Sequence, residues 1–155
     1  MIIGKGPYLD ELRNKTKAVK GIFFTGRIAR KDLVDVYSAC DLFLFPSTTD
    51  TFGMVVMEAQ ACELPAIVSD VGGPKEIIID GITGKTAKSN DMNDWLQKLD
   101  VLLTMKENST TNFLQMKREA RKNVLRRYSW ESVLESIMER EESLFFKDEG
   151  ISAGH

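Results

Sequence analysis

Four short apolar runs, each bounded by Gly, Pro, Asp or Ser, constrain this chain more than any other feature. They are Met1 to Ile3, Ile22 to Phe24, Leu42 to Phe45 and Ala66 to Val68. Runs this brief, rich in Ile, Val and Phe and without polar alternation, suit strands covered on both faces of a parallel sheet. Between them lie Tyr8 to Val19, Lys31 to Ala39 and Met54 to Cys62, each long enough to carry a crossover helix. The alternation predicts an α/β fold: a parallel sheet with flanking helices. After Gly81 and Gly84 the pattern predicts helices only, over Met92 to Met105, Phe113 to Arg127 and Trp130 to about Phe146, with Ser129 as the cap of the last.

With 155 residues, 43% of them hydrophobic, the chain has material for one globular core. The expected domain covers residues 1–147, and residues 148–155, with Ser152 and two glycines, read as a loose tail. Lys and Arg number 21 against 23 Asp and Glu, so nothing in the totals predicts a general attraction to nucleic acid. Lys117, Arg118, Arg121, Lys122, Arg126 and Arg127 form a basic helix, followed by an acidic stretch from Glu131 to Glu142. Two solvated faces account for this pair, with peripheral contact to a membrane as the alternative. Cys40 and Cys62 sit in apolar stretches and the only histidine is His155, which fits a reduced cytoplasmic protein with neither disulfide framework nor Cys/His metal site. No apolar run reaches membrane-spanning length.

The loop after Leu42 to Phe45 is where a parallel sheet of this kind offers a ligand site, because ligands bind beyond the carboxyl ends of the strands. It reads Pro46-Ser47-Thr48-Thr49-Asp50-Thr51-Phe52-Gly53 and runs into a helix. Gly53 allows close approach of backbone to a ligand, and the first amides of the helix, Gly53 to Val55, have no acceptor within it. A helix start of this kind can hold a phosphate; equally, Asp50 or Thr51 can serve only as a cap. On the same helix Gln60 and Glu63 fall together and predict a solvated face. Glu58 points the other way, among Met54, Val55, Ala61 and Cys62. A carboxylate there needs donors. A sugar diol supplies two; solvent at the helix end, or an Arg or Lys, is the alternative.

The stretch from Pro46 to Pro65 resembles the donor-site motif of retaining GT-B glycosyltransferases of the group-1, or family-4, type. That motif is two acidic residues separated by seven others, the spacing of Asp50 and Glu58. Gly26, Tyr37-Ser38-Ala39-Cys40-Asp41, Gly72-Gly73-Pro74-Lys75-Glu76-Ile77, Asp80-Gly81-Ile82-Thr83-Gly84 and Tyr128-Ser129-Trp130 continue the resemblance in order along nearly the whole chain. It implies a Rossmann-like domain forming the C-terminal half of a GT-B fold, with a nucleotide-sugar as the donor substrate. Glu58 would hold the ribose hydroxyls, and Asp50, the implied catalytic residue, would contact the donor sugar. The amides of Phe52, Gly53, Met54 and Val55 would meet sugar and diphosphate, while Arg27 and Ile28 would border the base. The family uses no metal or other cofactor.

Two departures accompany the match. The first acidic residue is usually Glu and here is Asp50, one methylene shorter. The family's opening strand, with its Arg and Lys loop, and its acceptor-binding N-terminal domain are not found in the sequence, so the expectation is a fragment of a longer enzyme, inactive in transfer by itself. A nucleotide-binding module without catalysis, or part of a GT-B epimerase or phosphorylase, is the alternative. At the other end, Trp130, Val133, Leu134, Ile137 and Met138 form a packing stripe. Beyond it Leu144, Phe145 and Phe146 form an apolar group expected to mediate self-association or else to fray, with burial on the chain's own domain as the alternative.

Overall fold

The computed structural model describes residues 1–129. The helix expected from Trp130, the group Leu144 to Phe146 and the tail from residue 148 lie outside the described residues. The chain divides into two compact units, Met1–Ala39 and a second beginning at Cys40.

In the first unit, β1 (Ile2–Ile3), α1 (Leu9–Thr16), β2 (Phe24–Gly26) and α2 (Arg30–Ala39) follow in order, and β1 pairs parallel with β2. The second strand begins at Phe24, two residues later than the apolar run Ile22 to Phe24. Its register is fixed by main-chain partners rather than by hydrophobicity: the Ile2 amide donates to the Phe23 carbonyl at 2.7 Å, Ile2 is opposite Phe24, and Ile3 is opposite Gly26. The Phe23 side chain is exposed. The first helix ends at Thr16, short of Val19, whose exposed side chain offers no packing to extend it. An ion pair of 2.7 Å between Glu11 and Lys15 spans one turn of it, and the Arg13 guanidinium lies over the Phe24 ring.

The second unit holds β3 (Phe43–Phe45), α3 (Met54–Ala61), β4 (Ala66–Ser69), a 3-10 turn (Gly73–Glu76), β5 (Gly84–Ala87), α4 (Met92–Asn108) and α5 (Thr110–Tyr128). The three strands are parallel in the order β3-β4-β5. The central strand β4 is covered on both faces, as its unbroken Ala-Ile-Val sequence requires. Ala66 and Val68 pack on one face with Val56, Ile77, Ile78 and Val124. Ile67 points to the other, with Ala87, Leu102 and Met116. Each large side chain so enclosed contributes about 1.5–3 kcal/mol of burial.

Two expectations are corrected in this unit. A strand follows Gly84 where only helices were expected, because Gly84-Lys85-Thr86-Ala87 has no apolar run to betray it. Its entry to the sheet depends on shape: a Cβ at Gly84 would overlap the Ala66 carbonyl, so only glycine lets the two backbones pair. Gln60 does not face solvent. It is fully buried, and its Nε2 donates to the Thr83 carbonyl at 3.0 Å, tying α3 to the turn that precedes β5. Glu63 falls past the end of the helix with φ of 59°.

The remaining helices are as read, with longer ends. The Asp91 carboxylate caps α4 by accepting from the amides of Asn93 and Asp94 at 3.1 and 3.2 Å. Ser109 alone separates α4 from α5. On α5 the buried Asn123 donates from Nδ2 to the Ile77 carbonyl at 2.8 Å, and Arg121 donates to the Ala61 carbonyl at the end of α3. Cys40 and Cys62 are free thiols.

Candidate functional site

Because β3 and β4 are parallel neighbours, their carboxyl ends lie side by side and the loops leaving them meet. The Gly73 amide donates to the Asp50 carbonyl at 3.0 Å, joining the loop after β4 to the loop after β3. The contact is backbone against backbone. A Cβ on Gly73 would overlap the Thr51 carbonyl, and one on Gly72 would stand 2.9 Å from the Asp50 carbonyl oxygen. Gly53 at the head of α3 has φ of 75°, with room for a Cβ closed off by Ile77 Cδ1 at 2.7 Å and Pro74 Cα at 2.9 Å. This pair of interlocked loops, with Ile77 against Gly53 and Asn123 bonded to the Ile77 carbonyl behind it, is the floor of the candidate site.

Within the loop, Asp50 Oδ1 accepts the amides of Phe52 at 2.9 Å and Gly53 at 2.6 Å. Aspartate has the reach for main-chain donors two and three residues on. Asp50 thus closes the turn that enters α3 rather than capping the helix itself, whose N-cap residue is Gly53 with no side-chain bond to its first turn. The Gly53 carbonyl accepts from Val56 and Met57 at 2.9 and 3.2 Å, which leaves the Met54 and Val55 amides as the first-turn donors without an intrahelical acceptor. Phe52 and Met54 present exposed side chains beside them. Glu58 lies one turn further along α3, on the Met54 side, and is half-buried. Asp50, Phe52, Gly53, Met54, Val55 and Glu58 thus share one loop and helix of the second unit. Arg27 and Ile28 follow β2 in the first unit, Arg27 exposed and Ile28 half-buried.

Gly72 and Gly73 entered the sequence analysis only as part of the resemblance and were given no role at the site, although the second loop is what holds the first. The available signal was a pair of adjacent glycines soon after the most apolar strand, past Asp70 and Val71. Two hollows bordered by described residues of the second unit lie elsewhere. One of 530 Å³, bordered by Ile79, Ile82, Leu125 and Arg126, opens near the amino end of β5, away from the interlocked loops at the carboxyl ends. Among the described residues no group of three or more His, Cys, Asp or Glu side chains is placed to hold a metal ion, and no helix is long and apolar enough to cross a membrane.

The parallel α/β layering is that of GT-B glycosyltransferase structures. Sucrose-phosphate synthase from Thermosynechococcus elongatus superposes with a TM-score of 0.75 at 24% identity, covering 94% of this chain and 38% of that one. Anabaena HepE in complex with UDP superposes at 0.76 with 21% identity, covering 91% and 40%. Residues 1–123 match the family model described as Glycosyl transferases group 1, and the chain belongs to that family. Among curated relatives, the D-inositol 3-phosphate glycosyltransferase of Mycobacterium marinum is 30% identical over 130 residues, covering 84% of this chain and 27% of that protein. The enzyme of the same description from Mycobacterium sp. (strain KMS) is 43% identical over 76 residues, which are 49% of this chain and 17% of that protein. The chain therefore spans less than a third of the length of these relatives.

Proposed function

We propose that this chain supplies the donor-binding part of a retaining glycosyltransferase, which moves a sugar from a UDP-, GDP- or ADP-sugar to an acceptor. In that reaction the bond from the anomeric carbon to the β-phosphate oxygen breaks, and the nucleoside diphosphate keeps the electron pair. A new bond forms to the acceptor oxygen on the same face as its proton is lost. Glu58 holds the ribose hydroxyls and Asp50 a hydroxyl of the sugar. The amides at the head of α3, with the positive end of the helix behind them, stabilise the charge that grows on the diphosphate, and no metal takes part. The observation that carries the proposal is the placement of Asp50, the open Met54 and Val55 amides and the half-buried Glu58 along one loop and helix at the carboxyl ends of β3 and β4. UDP in the Anabaena HepE complex makes the uridine nucleotide the first to try.

Calorimetry on the full chain with UDP, GDP and ADP tests this. At least one nucleotide is expected to bind, and Glu58→Ala is expected to weaken it about tenfold or more, as for a lost hydrogen bond to a charged group. Equal affinity of both proteins removes Glu58 from the site. Failure of all three nucleotides to bind the native chain overturns the function.

A further inference from the structure

The Asp50 carboxylate occupies the amides of Phe52 and Gly53, two of the four that the resemblance gives to the sugar and diphosphate. At 2.9 and 2.6 Å both bonds are well made, and they converge on a single oxygen, Oδ1. The rest of the residue is held as well: its carbonyl accepts from Gly73, and Gly72 leaves no room behind that carbonyl for a side chain. Asp50 is half-buried, and its carboxylate cannot withdraw without freeing two amides.

We infer that Asp50 is a positioning residue as well as a sugar contact: Oδ1 stays clamped on the Phe52 and Gly53 amides, and the donor diphosphate meets only the amides of Met54 and Val55. Resting on the donor-site assignment above, this divides the carboxylate between two tasks, with Oδ2 left for a sugar hydroxyl. It also gives a physical sense to the shorter side chain. Aspartate closes on amides two and three residues ahead, whereas one more methylene carries the carboxylate past them. The chain is thus built around Asp at this position, and restoring Glu should undo the turn.

Amide hydrogen exchange by NMR on the full 155-residue chain tests the clamp without any ligand. Phe52 and Gly53 are expected to exchange about tenfold faster in Asp50→Ala and Asp50→Glu than in the native chain. Asp50→Asn, which keeps an oxygen in place of Oδ1, is expected to restore the slow exchange. A general loss of packing would accelerate amides in β4 too, so those serve as the internal reference. Titration with UDP then reads the second half: Met54 and Val55 amide resonances are expected to move while those of Phe52 and Gly53 stay. Native exchange rates in Asp50→Ala, or UDP displacing Phe52 and Gly53 as far as Met54 and Val55, overturn the inference. Slow exchange rescued only by Asn, with no response to UDP anywhere, upholds the clamp and defeats the donor site instead.

Discussion

The Gly73 amide lies 3.0 Å from the Asp50 carbonyl oxygen and donates to it, so two loops from adjacent parallel strands are joined through their main chains. A methyl group at Gly73 would occupy the space of the Thr51 carbonyl, and backbone cannot turn aside as a flexible side chain can. Gly73→Ala is expected to destabilise the chain by about 1–3 kcal/mol and to weaken nucleotide binding at the same time. Urea unfolding and calorimetry check the two effects; a variant of native stability would show that the seam can yield.

Asn123 supports the same loop from behind. Its Nδ2 satisfies the Ile77 carbonyl at 2.8 Å in a setting closed to solvent. Asn123→Leu keeps the volume and removes the donor, with an expected loss of about 1–3 kcal/mol. Asn123→Asp is expected to cost more, since an acceptor would then face an acceptor. Chemical denaturation of both variants gives the order, and the reverse order would refute the account.

Leu102 on α4 fills the face of the sheet beneath Ile67 and is fully buried. Truncation to Ala leaves a cavity among side chains of the sheet and α5, Ile67, Ala87 and Met116. The expected cost is about 2–5 kcal/mol, read from the denaturation midpoint. A loss under about 1 kcal/mol would mean that the α4 face collapses to fill the gap.

Acid sensitivity should trace in part to Asp94. The Lys88 amide donates to its Oδ2 at 2.8 Å, and this bond chiefly holds the carboxyl below its ordinary value; Lys98, 3.6 Å from Oδ1, adds to the lowering while burial opposes it. A carboxyl lowered in the folded state stabilises the fold above its unfolded pKa of about 3.9, and the contribution disappears as pH falls through the folded value. Asp94→Asn should therefore melt below the native chain at neutral pH, with the gap narrowing below about pH 4. A gap that stays constant into acid would place the effect elsewhere.

The strands that sequence revealed were those whose burial shows as hydrophobicity: β3 and β4 appear where Leu42 to Phe45 and Ala66 to Val68 stand. Where pairing depends on main-chain fit, composition misled. β2 slid on to Thr25 and Gly26, and β5 went unseen because Gly84 is selected by contact with Ala66 rather than by any preference of its own. Gln60 was misplaced because polarity stood in for exposure, whereas its amide is consumed by a carbonyl in the interior. At the site, the interval from Asp50 to Glu58 was legible because one loop and one helix carry both. The glycine seam was not, since it joins segments whose meeting depends on the register of β3 against β4.

All four residues of β4 have no accessible surface at all. A strand enclosed to this degree admits few replacements, because nearly every change of volume is felt on both faces at once. The loops beyond the sheet face such a limit only at particular positions, among them their glycines, Asp50 and the buried Pro74. A lineage of such chains can then diversify its choice of ligand through residues such as Phe52, Met54 and Val71, all exposed, while the strand beneath stays fixed. Evolutionary freedom and mechanical rigidity are thus separated by the length of a single turn of chain.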